Sequence, residues 1–190
     1  MEQLKQRILQ EASVMSSDVV KLDAILNHQV DPVLTMEMGR EFARIFAEEQ
    51  VTKVITVESS GIPVAFATAL ELGVPLLFAR RKKTLIADPD HYSERVPSFT
   101  KGIVTDLMVS KSMLSADDRL LFIDDIIANG DAARGLVRII ERSGASLAGL
   151  GVVVEKAFQA GASTMRESGI RVESLVKIAS LENGNIVFAD

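Results

Sequence analysis

LLFIDDIIANGDAA, residues 120–133, decides the fold. Leu120 to Ile123 is an unbroken apolar run of strand length, the pattern of a buried strand. Asp124 and Asp125 follow at its carboxyl end, and Ala128-Asn129-Gly130-Asp131 reads as a short turn. A helical pattern then runs from about Ala132 to Ser143, with Ala133, Leu136, Val137 and Ile140 on one face and Gly144 as its stop. Strand, glycine-containing turn and helix start together make an anion site. Main-chain N–H groups without helical partners converge there, and the helix dipole favours negative charge. Adjacent carboxylates beside such a site suit a ligand that carries hydroxyls, Mg²⁺, or both. Without further context, the same residues also describe a plain strand-to-helix turn capped by Asp131.

This stretch resembles the signature of the type I phosphoribosyltransferases. There a strand ends in two acids, and the following loop wraps the 5-phosphate of phosphoribosyl pyrophosphate. The usual loop has Thr after Ala and Gly before a second Thr; here Asn129 and Ala132 occupy those places and Asp131 adds a charge. The Ala-Asn-Gly variant is similar to that of the bacterial xanthine phosphoribosyltransferases. The resemblance implies an α/β fold: a parallel-sheet core with helices on both faces, at about 32–155, and a small hood built from about 1–31 and 156–190, all in one domain. It also implies a homodimer.

Upstream, Lys53 to Val57 reads as a strand, Glu58-Ser59-Ser60-Gly61 as a small-residue turn, and Pro63 to Leu72 as a helix closed by Gly73. Small side chains let a backbone come close to an anion; Ser59 or Ser60 also suits an ordinary helix cap. The resemblance implies that Ser59, Ser60 and Gly61 contact pyrophosphate, often through an unusual peptide bond. Pro75 to Ala79 is a third strand and delivers Arg80-Arg81-Lys82-Lys83. Ligands of such sheets bind outside the carboxyl ends of the strands, and the resemblance places a basic residue here on pyrophosphate. Arg80 and Lys83 are the candidates, and the sequence leaves open which of the four points inward. An isolated basic run is otherwise a solvated loop.

Thr84 to about Thr105 is polar and reads as a long irregular loop, longer than structureless connections usually run. In related enzymes a loop here closes over the site and excludes water. Ile103 to Val109 suits a β-ribbon with part of that loop. Downstream, Ala148 to Val154 is a strand ending in Glu155 and Lys156, Ala162 to Glu167 a short helix, and Arg171 to Ile178 a strand. Asn183-Gly184 is a two-residue hairpin turn into Asn185 to Phe188. At the other end, Met1 to Ala12 has Leu4, Ile8 and Ala12 at helical spacing, and Asp31-Pro32 starts a helix to about Glu49.

The 190 residues, 47% hydrophobic, suffice for one core. A net charge of −5 disfavours nucleic-acid binding, the absence of cysteine excludes disulfides and thiolate metal sites, and two histidines are too few for a His-rich metal site. No apolar run is long enough to span a bilayer and no signal core opens the chain, so a cytoplasmic protein is expected.

The implied reaction moves 5-phosphoribosyl from phosphoribosyl pyrophosphate to a purine nitrogen. Its ribose passes through a cation-like state, so charge placement matters more than a nucleophile. The resemblance assigns Asp124 and Asp125 to the ribose hydroxyls, directly or through Mg²⁺, and Ala128, Asn129, Gly130, Asp131 and Ala132 to the 5-phosphate. Residues matching Val20, Asn27 and Lys156 line the base pocket of the xanthine enzymes. An ammonium suits an oxygen-rich purine, and an amide can read a second edge; a strand-end lysine taken alone is a surface residue. Asp131 would repel a phosphate, so its side chain is expected to face solvent. Guanine, hypoxanthine or adenine as the base, and a non-catalytic purine regulator that senses phosphoribosyl pyrophosphate, are the alternatives.

Overall fold

The computed structural model describes residues 1–82, 89–98 and 103–189. In chain order its strands are β1 (Ser13–Val14), β2 (Val20–Lys21), β3 (Lys53–Val57), β4 (Leu76–Lys82), β5 (His91–Ser98), β6 (Ile103–Ser110), β7 (Arg119–Ile127), β8 (Ser146–Lys156), β9 (Val172–Ser180) and β10 (Val187–Phe188). The helices are α1 (Glu2–Glu11), α2 (Pro32–Ile45), α3 (Ile62–Leu72), α4 (Asp131–Ser143) and α5 (Gly161–Glu167). Among the described residues, eight strands form one sheet in the order β10-β9-β8-β7-β3-β4-β6-β5. The run from β9 to β4 is parallel; β10, β6 and β5 are antiparallel to their neighbours.

The all-apolar run Leu120 to Ile123 lies in the middle of this sheet, and its period of two splits it between two cores. Leu121 and Ile123 of β7 pack with α1, α2 and α3 through Leu4, Ile8, Met38, Phe42, Val64 and Ala65. Leu120 and Phe122 pack on the other face with Leu136 and Ile140 of α4 and Met165 of α5. Both faces are therefore covered by helices, as a parallel sheet requires. Asp31 caps α2 as expected, its Oδ1 accepting from Val33 N at 3.0 Å and Leu34 N at 3.1 Å, with Pro32 in the first turn.

Several expectations shift. Strand β7 runs on to Ile127, so Asp124 and Asp125 lie inside its last pairs with β8 rather than beyond them. Strand β4 extends through Lys82, so most of the basic run is strand, paired antiparallel with Asp106 to Met108 of β6. His91 to Ser98, expected as irregular loop, pairs with β6 throughout, which gives the anticipated ribbon but with a regular first strand. The 84–88 and 99–102 parts of the expected loop lie outside the described residues. Asn183-Gly184 is not a two-residue hairpin: Ser180 pairs with Val187, and the wider connection holds the buried Leu181 and a 3₁₀ turn over Glu182–Gly184. A small hairpin of β1 and β2 and a π-helical turn at Asp23–Asn27 follow α1. The amino terminus is tied to the sheet, Met1 N donating to Leu175 O at 2.9 Å. No described helix is long and apolar enough to cross a membrane.

Candidate functional site

The turn after β7 is built to present donors. Gly130 has φ +77°, a left-handed conformation that costs glycine nothing, and it caps α4. Asp131, Ala132 and Ala133 then begin a helix of 13 residues, so their N–H groups have no acceptor within it. The loop's acceptors are turned the other way. Ala128 O accepts from Gly161 N at 3.0 Å and Gly130 O from Arg134 N at 2.9 Å. Asn129 O accepts from Arg134 Nη1 at 2.8 Å. Gly161 is in van der Waals contact with the loop: a Cβ there would stand 2.3 Å from Ala128 O and 2.7 Å from Gly130 N.

Ala128, Asn129, Gly130, Asp131 and Ala132 all border one cavity of about 430 Å³, which Asp124, Arg81 and Lys156 also line. Burial, together with the neighbouring Asp125 charge, pushes the Asp124 carboxyl well above the usual carboxylate range; Arg81 pulls weakly the other way. Asp125 stands just outside the cavity wall, where its Oδ2 accepts from Asn27 Nδ2 at 3.0 Å.

Lys156, at the end of β8, is 8% exposed and not a surface lysine. Its Nζ donates to Asp18 O at 2.6 Å, which places the β1–β2 loop over the cavity. Burial lowers its pKa, and the charge of Asp18 opposes that. Val20 is buried beneath this loop; it lies in the core rather than on the wall, which Asp18 and Val19 line instead.

On the opposite side, the Glu58–Ser59 peptide bond is cis. Ser59 is exposed, Ser60 half-buried and Gly61 buried, and none of the three borders the cavity. Gly61 backs Asp124 directly, since a Cβ there would come within 2.9 Å of Asp124 Oδ1 and 2.5 Å of the buried Thr56 Oγ1. Strand alternation sends Arg80 and Arg81 to opposite faces. Arg80 pairs with Glu58, Nε to Oε2 at 2.8 Å, and is exposed; Arg81 borders the cavity that the donor loop lines. Lys83 lies outside the described residues.

Arg81, Arg134 and Gly161 were not singled out in the sequence. Arg134 had a legible signal, its place three residues after Asp131 on one helix face. Gly161 had none, because its partner loop is distant in the chain. Asp131 does not point freely to solvent: its Oδ1 accepts from Arg134 Nη2 at 2.6 Å and the side chain is 19% exposed.

The phosphoribosyl transferase domain model matches residues 29–181. The chain is 52% identical over 188 residues to the xanthine phosphoribosyltransferase of Bacillus mycoides (strain KBAB4), covering 99% of this chain and 95% of that one. It matches the enzyme of the same name from Bacillus cytotoxicus to the same extent, 52% over 188 residues. Among solved structures, the adenine phosphoribosyltransferase of Trypanosoma brucei in complex with AMP, pyrophosphate and ribose-5-phosphate superposes with a TM-score of 0.74 at 18% identity, over 92% of this chain and 79% of that one. The Giardia lamblia enzyme complexed with 9-deazaadenine gives 0.71 at 21% identity, over 84% and 86%. At such identities these two structures bear on the fold alone.

Proposed function

The chain belongs to the phosphoribosyltransferase family, and we propose that within it the protein is a xanthine phosphoribosyltransferase. It transfers 5-phosphoribosyl from phosphoribosyl pyrophosphate to xanthine, giving xanthosine 5'-monophosphate and pyrophosphate. The observation that carries this reading is one cavity bordered by the donor loop Ala128–Ala132, by Asp124 and by the buried Lys156. Kinship at 52% identity to enzymes of that name supports it.

In this reading the loop N–H groups take the 5-phosphate at the start of α4. Asp124 and Asp125 meet the ribose hydroxyls and stabilise the positive charge that develops on the sugar. Arg81, in place of Arg80, reaches the pyrophosphate from the cavity wall, and the Ser59-Ser60-Gly61 turn contacts the same group. Lys156 donates to a purine oxygen and Asn27 reads a neighbouring edge, while Val20 supports the base from the core. Adenine would meet Lys156 with a donor where an oxopurine offers an acceptor, and so lose that hydrogen bond.

Mg²⁺ fits as a companion of the substrate. Among the described residues no group of three or more His, Cys, Asp or Glu side chains gathers as a metal site. Asp124 and Asp125 offer carboxylate oxygens only, which suits an ion held by one or two acids plus substrate phosphates. Such an ion would neutralise charge on the leaving pyrophosphate. We assign residues 32–155 to the core and 1–31 with 156–190 to the hood that covers the base. We also take the protein to be a cytoplasmic homodimer; Phe66 and Leu70, one turn apart on α3 and each 58% exposed, suit burial against a second copy.

A pyrophosphate-release assay with Mg²⁺, phosphoribosyl pyrophosphate and each purine base in turn tests the reading. Xanthine is expected to give the highest kcat/KM; a faster reaction with adenine, guanine or hypoxanthine would reassign the base, and no release with any would leave a purine sensor.

A further inference from the structure

A phosphate loop that carries its own carboxylate poses an electrostatic problem. Asp131 borders the cavity between the Gly130 and Ala132 donors, where a bound dianion would meet a like charge at short range. Arg134, one helical turn on, answers it. Its Nη2 donates to Asp131 Oδ1 at 2.6 Å and its Nη1 to Asn129 O at 2.8 Å, while its own N–H donates to Gly130 O at 2.9 Å. The guanidinium lies against the turn: a Cβ at Gly130 would stand 3.2 Å from Nη1. One residue therefore holds an acceptor from each of three successive loop residues. Yet Arg134 is not part of the cavity wall, so it works through the loop rather than on the ligand.

We propose that Arg134 is a positioning residue that makes the Asp131-bearing loop an anion site, by neutralising Asp131 and by drawing the Asn129 carbonyl away from the ligand. The planar fork fits the task, because it spans two acceptors at once where an ammonium would serve as a point charge. The inference rests on the reading that this loop takes the 5-phosphate.

The test is calorimetric binding of phosphoribosyl pyrophosphate with Mg²⁺, together with steady-state kinetics, for the wild type, Arg134→Gln, Arg134→Ala, Arg134→Lys, Asp131→Asn and the Asp131→Asn/Arg134→Gln pair, each checked by thermal melting. Arg134→Gln is expected to weaken binding about tenfold or more, raising KM for phosphoribosyl pyrophosphate while KM for xanthine stays within about twofold. Adding Asp131→Asn is expected to recover most of that loss, because the charge to be neutralised is gone. Arg134→Lys is expected to fall between wild type and Arg134→Gln. Unchanged binding in Arg134→Gln, a double variant no tighter than Arg134→Gln, or Arg134→Lys binding no tighter than Arg134→Gln would overturn the inference while leaving a working enzyme. A wild type that binds no phosphoribosyl pyrophosphate would overturn the loop assignment and this inference together.

Discussion

Asn27 donates its amide to Asp125 Oδ2 at 3.0 Å, across 98 positions of sequence. The contact ties the amino-terminal segment to the acid pair on β7, so the part of the chain proposed to read the base touches the part proposed to hold the sugar. Asn27→Ala is expected to raise KM for xanthine up to about tenfold, the range of one hydrogen bond. KM for phosphoribosyl pyrophosphate should move less. Steady-state kinetics with each substrate varied in turn checks the split, and equal changes in both would make Asn27 a mere strut.

Asp124 should trade stability for function. Its carboxyl is held above the usual range by burial and by Asp125, so the folded chain keeps this proton to higher pH than the unfolded chain does. The resulting stabilisation is complete below the ordinary aspartate pKa and is lost as pH rises through the folded value. Asp124→Asn is therefore expected to melt higher than wild type at pH 8 without ligand, with the gap closing towards pH 4. Turnover of the same variant should fall on the order of 10²-fold. A melting difference that does not depend on pH would remove the electrostatic cause.

How far the sequence carried this site depends on where each signal lay. Leu120 to Ile123 was legible because a strand buried on both faces must be apolar throughout, and Asp31-Pro32 because a helix cap is a local event. The third strand was ended at Ala79, short of the basic run, because Arg80 and Arg81 pair with an antiparallel neighbour, β6, that carries Asp106; polar residues near a sheet margin leave no apolar pattern. His91 to Val96 hid for the same reason, since within that stretch only Val96 is fully buried. The buried state of Lys156 depends on Asp18, 138 residues away, and no local pattern announces such a partner.

Lys156→Ala should cost xanthine transfer far more than binding of phosphoribosyl pyrophosphate. Loss of a charge-assisted hydrogen bond in a buried pocket is worth about 1.5–3 kcal/mol, or roughly ten- to a hundredfold in kcat/KM for xanthine. Because burial lowers the Lys156 pKa, the wild-type rate should decline on the alkaline side before an ordinary lysine would titrate. That limb should be absent from Lys156→Ala. A pH–rate series on both proteins reads the difference.

Gly161→Ala tests the support under the donor loop. A methyl group there would stand 2.3 Å from Ala128 O and 2.9 Å from Asn129 C, so the loop must shift. Overpacking of this kind costs about 1–3 kcal/mol of stability, and the displaced donors should raise KM for phosphoribosyl pyrophosphate at least tenfold at a temperature where the variant remains folded. A melt and a saturation curve together check it; a normal KM would mean that the loop does not need its present position.

The turn after β7 is the site on which the proposed activity depends. A crystal structure of the protein with phosphoribosyl pyrophosphate and Mg²⁺ measures this directly. The 5-phosphate is predicted against the main-chain N–H groups of residues 129–132, with the ribose hydroxyls beside Asp124 and Asp125. A ligand bound elsewhere, or a phosphate seated away from Gly130, would contradict it.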